Sequence, residues 1–186
     1  EYEVTSPEDF LVNHSWQYNY AWGKLYHKTV FEGKRYPPGK YIEDEFLTYQ
    51  LLFAQEKLSV ISAPLYAYYI NRAGISKKAW VPKRLDAWEA YDQQLVYFRK
   101  MGDQELISFR TREYLENALK HYYAAMEAPN AGDLTKELKW MRKRIRSLIR
   151  ECWHIGRIAF WSDIDFLIYF YPWFTRLYRF HLEHRF

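Results

Sequence analysis

From Val81 to Trp153 the apolar residues fall on a helical period, and this run constrains the fold more than any other feature of the chain. Leu85, Trp88, Tyr91, Leu95 and Phe98 lie three or four residues apart and make one stripe. Leu106, Phe109, Leu115, Leu119 and Tyr122 make a second. Side chains at that spacing share one face of an α-helix, so each stripe has to be buried against another element. The pattern predicts a helix from about residue 82 and a second over Gln104–Met126. A third follows over Leu134–Trp153, after the turn Ala128–Asp133. A fourth is expected to begin near Ser162 and to be interrupted at Pro172, whose ring clashes with the preceding turn. Helices that must bury one another's stripes make a bundle.

The first eighty residues read differently. Ser6 followed by Pro7 and two acids predicts a short helix over SPEDFLVNH, with Ser6 as its N-cap. Tyr18, Tyr20 and Trp22 alternate, which predicts a short strand within YNYAWGKLYHK. HKTVFEG reads as a short helix ended by Gly33, and RYPPGK as a turn. A helix is expected over Glu43–Glu56, its acids at the positive end and Phe46, Leu47, Leu51 and Leu52 on helical spacing. LSVISAPLYAYYIN suggests one or two strands broken at Pro64. The expected fold is therefore α+β and predominantly helical. A mixed strand and helix portion over 1–80 precedes an all-helical region, 81–186, which ends in an aromatic, basic tail.

Composition narrows the function classes. Hydrophobic residues at 49% and charged residues at 27% exclude general disorder. The single cysteine, Cys152, excludes an internal disulfide and a Cys-based zinc site. Aromatic residues make up 20% of the chain, an unusual supply of flat side chains for core and binding surfaces. The net charge of +4 is unevenly spread. Residues 1–135 carry 16 basic and 18 acidic side chains, whereas 136–186 carry 11 and 5, which points to a local anionic partner. The longest strongly apolar stretch, Phe166–Thr175, has ten residues, against about 20 for a membrane-spanning helix. The chain opens on EYEVTSPEDF, without Met or an apolar leader, so we expect a segment from inside a longer protein.

Three segments form an ordered set: Trp22–Tyr26 (WGKLY), Phe31–Glu45 (FEGKRYPPGKYIEDE) and Pro64–Ser76 (PLYAYYINRAGIS). In order and spacing this set resembles the C-terminal half of bacterial family 2 glycosyltransferases, the inverting GT-A type that build capsule, O-antigen and exopolysaccharide. Those enzymes share a W-x-K-L-Y element, an aromatic and Pro turn, an E-D pair opening a helix, a P-L-Y-x-Y strand and a loop ending in Ser. The resemblance covers about residues 15–80 and extends loosely through the helical tail.

The resemblance implies transfer of a hexose from a nucleotide-sugar to a growing polysaccharide or lipid-linked glycan, with inversion. Such a reaction needs one carboxylate to take the proton of the attacking hydroxyl, and no covalent intermediate forms. Asp44 matches the family's base and Glu43 would support it. The same EDE run is also favourable charge at a helix start. Trp22 and Lys24 match the W-x-K element, where an indole can stack on a sugar face or serve the core. Arg72 and Ser76 match the loop that approaches the donor diphosphate, where many relatives carry His and an Arg can neutralise the leaving group. The family holds its divalent cation, Mn or Mg, through a D-x-D motif in an N-terminal half. That half is absent from this sequence, so the ligands are expected mostly outside it.

Other motifs carry structural readings. Asp163-Ile164-Asp165 follows Ser162 as capping charge, and His181 and His184 lack an evident third ligand. Arg142–Arg150 alternates basic and apolar residues, as a solvated helix face or a membrane-facing helix does; nucleic acid is not the expected partner. Residues 162–186 suit an anionic membrane surface, which places the protein in the cytoplasm at the inner face of the cell membrane. They suit equally a helix packed on the bundle or on a second copy, a homodimer through the helical region. The reading from a different class is a non-catalytic helical module that docks on anionic membrane or a partner protein.

Overall fold

The computed structural model describes residues 2–13, 19–69 and 79–156. The fold is α+β and predominantly helical. Strand β1 (Tyr2–Thr5) leads into helix α1 (Pro7–Asn13), where the Ser6 hydroxyl caps the Asp9 N–H at 3.0 Å. A 3-10 turn follows over Lys28–Phe31, then helix α2 (Asp44–Leu52) and strand β2 (Leu58–Ile61). β2 pairs antiparallel with β1, Tyr2 opposite Ile61 and Thr5 opposite Leu58. Three long helices complete the described residues: α3 (Asp86–Met101), α4 (Gln104–Met126) and α5 (Thr135–His154).

The three stripes meet as their spacing requires. Trp88, Tyr91, Leu95, Tyr114, Leu115, Met141, Ile145, Leu148 and Cys152 are buried in one cluster. Sharp ends keep the helices in register. Gly102 takes a left-handed φ of 78° and donates to the Phe98 and Arg99 carbonyls, closing α3. The Asp103 carboxylate then caps α4 through the Glu105 and Leu106 N–H groups at 2.9 and 3.0 Å. Arg144 on α5 pairs with Asp92 on α3 and with Glu151 at 3.2 Å. The apolar members of the basic run, Ile145, Leu148 and Ile149, are thus core residues rather than a free face.

A second cluster joins the N-terminal elements to this bundle. Phe10 and Leu11 of α1 and Tyr49 and Leu52 of α2 pack on Phe98 and Leu106, either side of the α3–α4 turn. This contact sets where the start of α2 faces.

Three local readings change. Residues 19–27 form no strand; the Tyr and Trp alternation there serves an aromatic stack. Residues 64–69 form no strand, and the Leu65 N–H turns back onto the Ala63 carbonyl at 2.9 Å. α2 ends at Leu52 rather than Glu56, because Ala54, Glu56 and Lys57 are exposed and offer no face to bury. The expected fourth helix, Asp163–Asp165, the His181–His184 pair and the whole 162–186 tail lie outside the described residues.

Candidate functional site

Asp44 and Glu43 open α2 from a strained turn. Ile42, a β-branched residue, sits at φ 58°, in the left-handed region that such side chains avoid. Holding it there costs about 1–3 kcal/mol. The turn is tied down from outside. Asp86, at the start of α3, accepts the Tyr41 N–H at 2.9 Å, and Lys40 bridges Asp86 and Glu89 at 3.4 and 2.6 Å. Chain direction at Ile42 is therefore dictated by α3, and it delivers the acidic pair at a helix N-terminus.

The two acids have different environments. Glu43 is exposed and makes no capping hydrogen bond. Asp44 is partly buried. Burial, and then the neighbouring Glu43 charge, raise its pKa; the backbone N–H groups of Glu45, Asp44 itself and Ala21 oppose the rise. The Glu45 N–H lies 3.1 Å from Asp44 Oδ1. A carboxylate held above its ordinary range is a better proton acceptor near neutral pH than a free one.

Residues 19–27 wrap over this helix start. Lys24 lies close enough to feel Asp44, while burial lowers its pKa to about 8. Its ammonium donates to the Tyr20 carbonyl, which stiffens the turn bearing Trp22. The Tyr26 pKa is also raised, by burial and then by the adjacent Tyr36 and Asp44. Perturbed groups around one half-open carboxylate make this the candidate functional site.

An aromatic platform stands beside them. The Trp22 ring stacks on Tyr20 at 4.4 Å, on Tyr66 at 5.0 Å and on Tyr68 at 4.9 Å. Tyr66 and Tyr68 are more than half exposed, so the stack is a surface rather than a core. The structure brings together Trp22, Lys24, Glu43 and Asp44, from two of the three ordered segments, and Tyr66 and Tyr68 from the third. Arg72 and Ser76 lie outside the described residues.

Beneath the site is a buried polar hub. Glu45 is 7% exposed. Its carboxylate accepts from Asn19 at 2.8 Å, from Gln94 at 2.9 Å and from the Tyr91 hydroxyl at 3.5 Å; Gln94 also donates to the Glu45 carbonyl at 2.7 Å. Burial raises the Glu45 pKa and the buried Arg110 guanidinium opposes the rise. Asn19, from the loop bearing Trp22, and Gln94, from α3, thus meet at the residue next to Asp44. Sequence reasoning missed this hub, though a signal was present. Glu45, Gln94 and Arg110 are polar residues on otherwise apolar stripes, with Tyr49, Phe98 and Tyr114 one turn further on.

Among the described residues no three His, Cys, Asp or Glu side chains gather to hold a metal ion, and no helix is long and apolar enough to cross a membrane.

Comparison with known proteins bears on what such a surface does. The chain is similar to a glycosyltransferase. Glycosyltransferase GlyA of Streptococcus pneumoniae serotype 4 is 29% identical over 135 residues, which span 70% of this chain and 19% of that protein's length. No protein-family model and no solved structure matches the chain.

Proposed function

We propose that this chain is the acceptor-side portion of a glycosyltransferase, of the inverting family 2, GT-A type, with Asp44 as general base. The observation that carries the reading is the convergence of three separated segments: a half-buried carboxylate of raised pKa, a lysine beside it and an exposed aromatic stack. The similarity to a curated glycosyltransferase over most of the chain supports it.

In the proposed reaction Asp44 takes the proton from an acceptor hydroxyl. That oxygen bonds to the anomeric carbon of a hexose, and the bond from that carbon to the nucleoside diphosphate breaks with inversion. Trp22 and its stacked tyrosines hold the acceptor ring through C–H contacts with the π-face. Lys24 keeps positive charge beside Asp44 and toward the leaving group, while Glu43 holds the Asp44 pKa up by repulsion. Arg72 and Ser76 are assigned to the donor diphosphate. Among the described residues no acids gather to hold a metal, so no step is routed through one; the ligands of a divalent cation, Mn or Mg, are proposed to lie mostly outside this chain. The nucleotide-sugar donor and the polysaccharide or lipid-linked acceptor are the proposed partners. A peripheral site at the cytoplasmic face of the membrane, reached through 162–186, and a homodimer through the helical region complete the reading.

The test is to incubate the protein as encoded with a panel of nucleotide-hexoses and an extract of lipid-linked glycan. Release of nucleoside diphosphate coupled to a product of inverted anomeric configuration by NMR is expected. A retained configuration, or no release with any donor, refutes the proposal.

A further inference from the structure

Away from Asp44, a cleft of about 610 Å³ lies between α3 and α5. Its platform is Trp140, which is 48% exposed and yet firmly braced. The indole stacks on the fully buried Trp88 at 5.3 Å and 30°, and Trp88 is in turn held edge-on by Tyr114 at 5.9 Å. Leu85 and Val96 add two apolar edges, and Glu89, Asp92 and Gln93 supply polar groups around the opening.

We propose that this cleft is a second saccharide-binding subsite, with a sugar ring stacked on Trp140 and its hydroxyls hydrogen-bonded to Glu89, Asp92 and Gln93. A flat, pre-braced indole offers a stacking face with little ordering cost. The carboxylates already have cationic partners. Lys40 donates to Glu89 at 2.6 Å, and Arg144 pairs with Asp92. Their charge is compensated and their oxygens are oriented, which suits a neutral polyol better than a metal cation. The apolar area, two aliphatic edges and one indole, is too small and too interrupted for a helix-binding groove. The cleft also reaches toward the first site, because its Asp86 and Glu89 hold the Lys40–Tyr41 turn that leads into Asp44. The choice of a saccharide rests on the proposed glycosyl transfer, but binding is read without turnover, so either can fail alone.

The experiment titrates the 186-residue chain with cellotetraose, maltotetraose and chitotetraose, by calorimetry and by NMR of the tryptophan indole N–H signals. At least one tetrasaccharide is expected to bind saturably and to shift the Trp140 signal. Trp140→Ala is expected to weaken that binding about tenfold or more, the equivalent of one good stacking contact. Trp140→Phe should retain most of it. Gln93→Ala, a surface change, provides an independent reduction should Trp140→Ala disturb the fold. The proposal is overturned if none of the three sugars moves the Trp140 signal, or if Trp140→Ala and Gln93→Ala both bind as the parent does. A dimer in sedimentation that Trp140→Ala dissociates also overturns it, in favour of an interface between copies.

Discussion

Replacing Gln94 with Leu keeps the volume of the side chain and removes two of the three hydrogen bonds that tie Glu45 to α3. One, at 2.7 Å, satisfies the Glu45 carbonyl, and the other, at 2.9 Å, goes to its carboxylate. A hydrogen bond to a charged group is worth about 1.5–3 kcal/mol; the bond to the carbonyl, which as part of α2 also accepts the Tyr49 N–H, is an ordinary one worth about 0.5–1.5 kcal/mol. Gln94→Leu should therefore lose about 2–4.5 kcal/mol. In a chain of this size that lowers Tm by about 4–18 °C. Glu45→Gln makes the contrast. It removes a charge that burial disfavours, and the Asn19 Oδ1, buried and without a hydrogen bond, can turn to accept from the new amide. That variant should stay within about 1 kcal/mol of the parent. The two should also differ in pH dependence. Glu45 has its folded pKa above its ordinary value of 4.5, so the folded state binds its proton more tightly. Its contribution thus favours folding as pH falls from the folded pKa toward 4.5, and Glu45→Gln lacks that gain. Urea titrations by circular dichroism at several pH values read all of this. Loss of less than about 0.5 kcal/mol in Gln94→Leu, within the scatter of surface changes, would refute the hub as the anchor of α2. So would a Glu45→Gln variant as damaged as Gln94→Leu, because the Arg110 attraction would then outweigh the cost of burial.

Three further outcomes follow from the same geometry. Ile42→Asn places a residue that tolerates the left-handed region at φ 58° and should raise stability by about 1 kcal/mol in thermal melts; a loss would show that Ile42 packing outweighs its strain. His121 accepts from Trp80 Nε1 at 3.3 Å, and burial, then Arg84 and Lys120, lower its pKa to about 4. Its folded pKa lies below the ordinary 6.5, so its stabilisation is present above 6.5 and lost as pH falls toward 4; His121→Gln should flatten that part of the stability curve, and an unchanged curve contradicts the burial argument. Trp22→Ala should raise the acceptor KM about tenfold with kcat less affected, because it removes binding rather than chemistry; an unchanged KM removes Trp22 from the acceptor site.

Long-range periodicity was the readable part of this sequence. The stripes at Trp88, Tyr91 and Leu95, and at Leu115 and Tyr122, place α3 and α4 with few residues in doubt, because burial of one helix face is enforced at every turn. Short elements were less legible. β1 has four residues and is held by pairing with β2, more than fifty residues away, which no local pattern records. Tyr20 and Trp22 alternate as a strand would, yet their rings are held by Tyr66 and Tyr68 rather than by a backbone ladder. At the site, the ordered motifs drew Trp22, Lys24, Glu43 and Asp44 together in advance. The Glu45, Gln94 and Asn19 hub escaped because polar residues on apolar stripes show only that partners exist, whereas the partner's identity depends on how three helices and a loop meet.

The central claim is that Asp44 is the base, and Asp44→Asn in the protein as encoded tests it most directly. The amide keeps the shape of the side chain and its place at the start of α2 but cannot take a proton. Rates of nucleoside diphosphate release with saturating donor and acceptor should fall by about 10²–10⁴-fold, with the melting curve and the acceptor KM close to those of the parent. Turnover within a few-fold of the parent, on a fold that melts normally, would contradict the account.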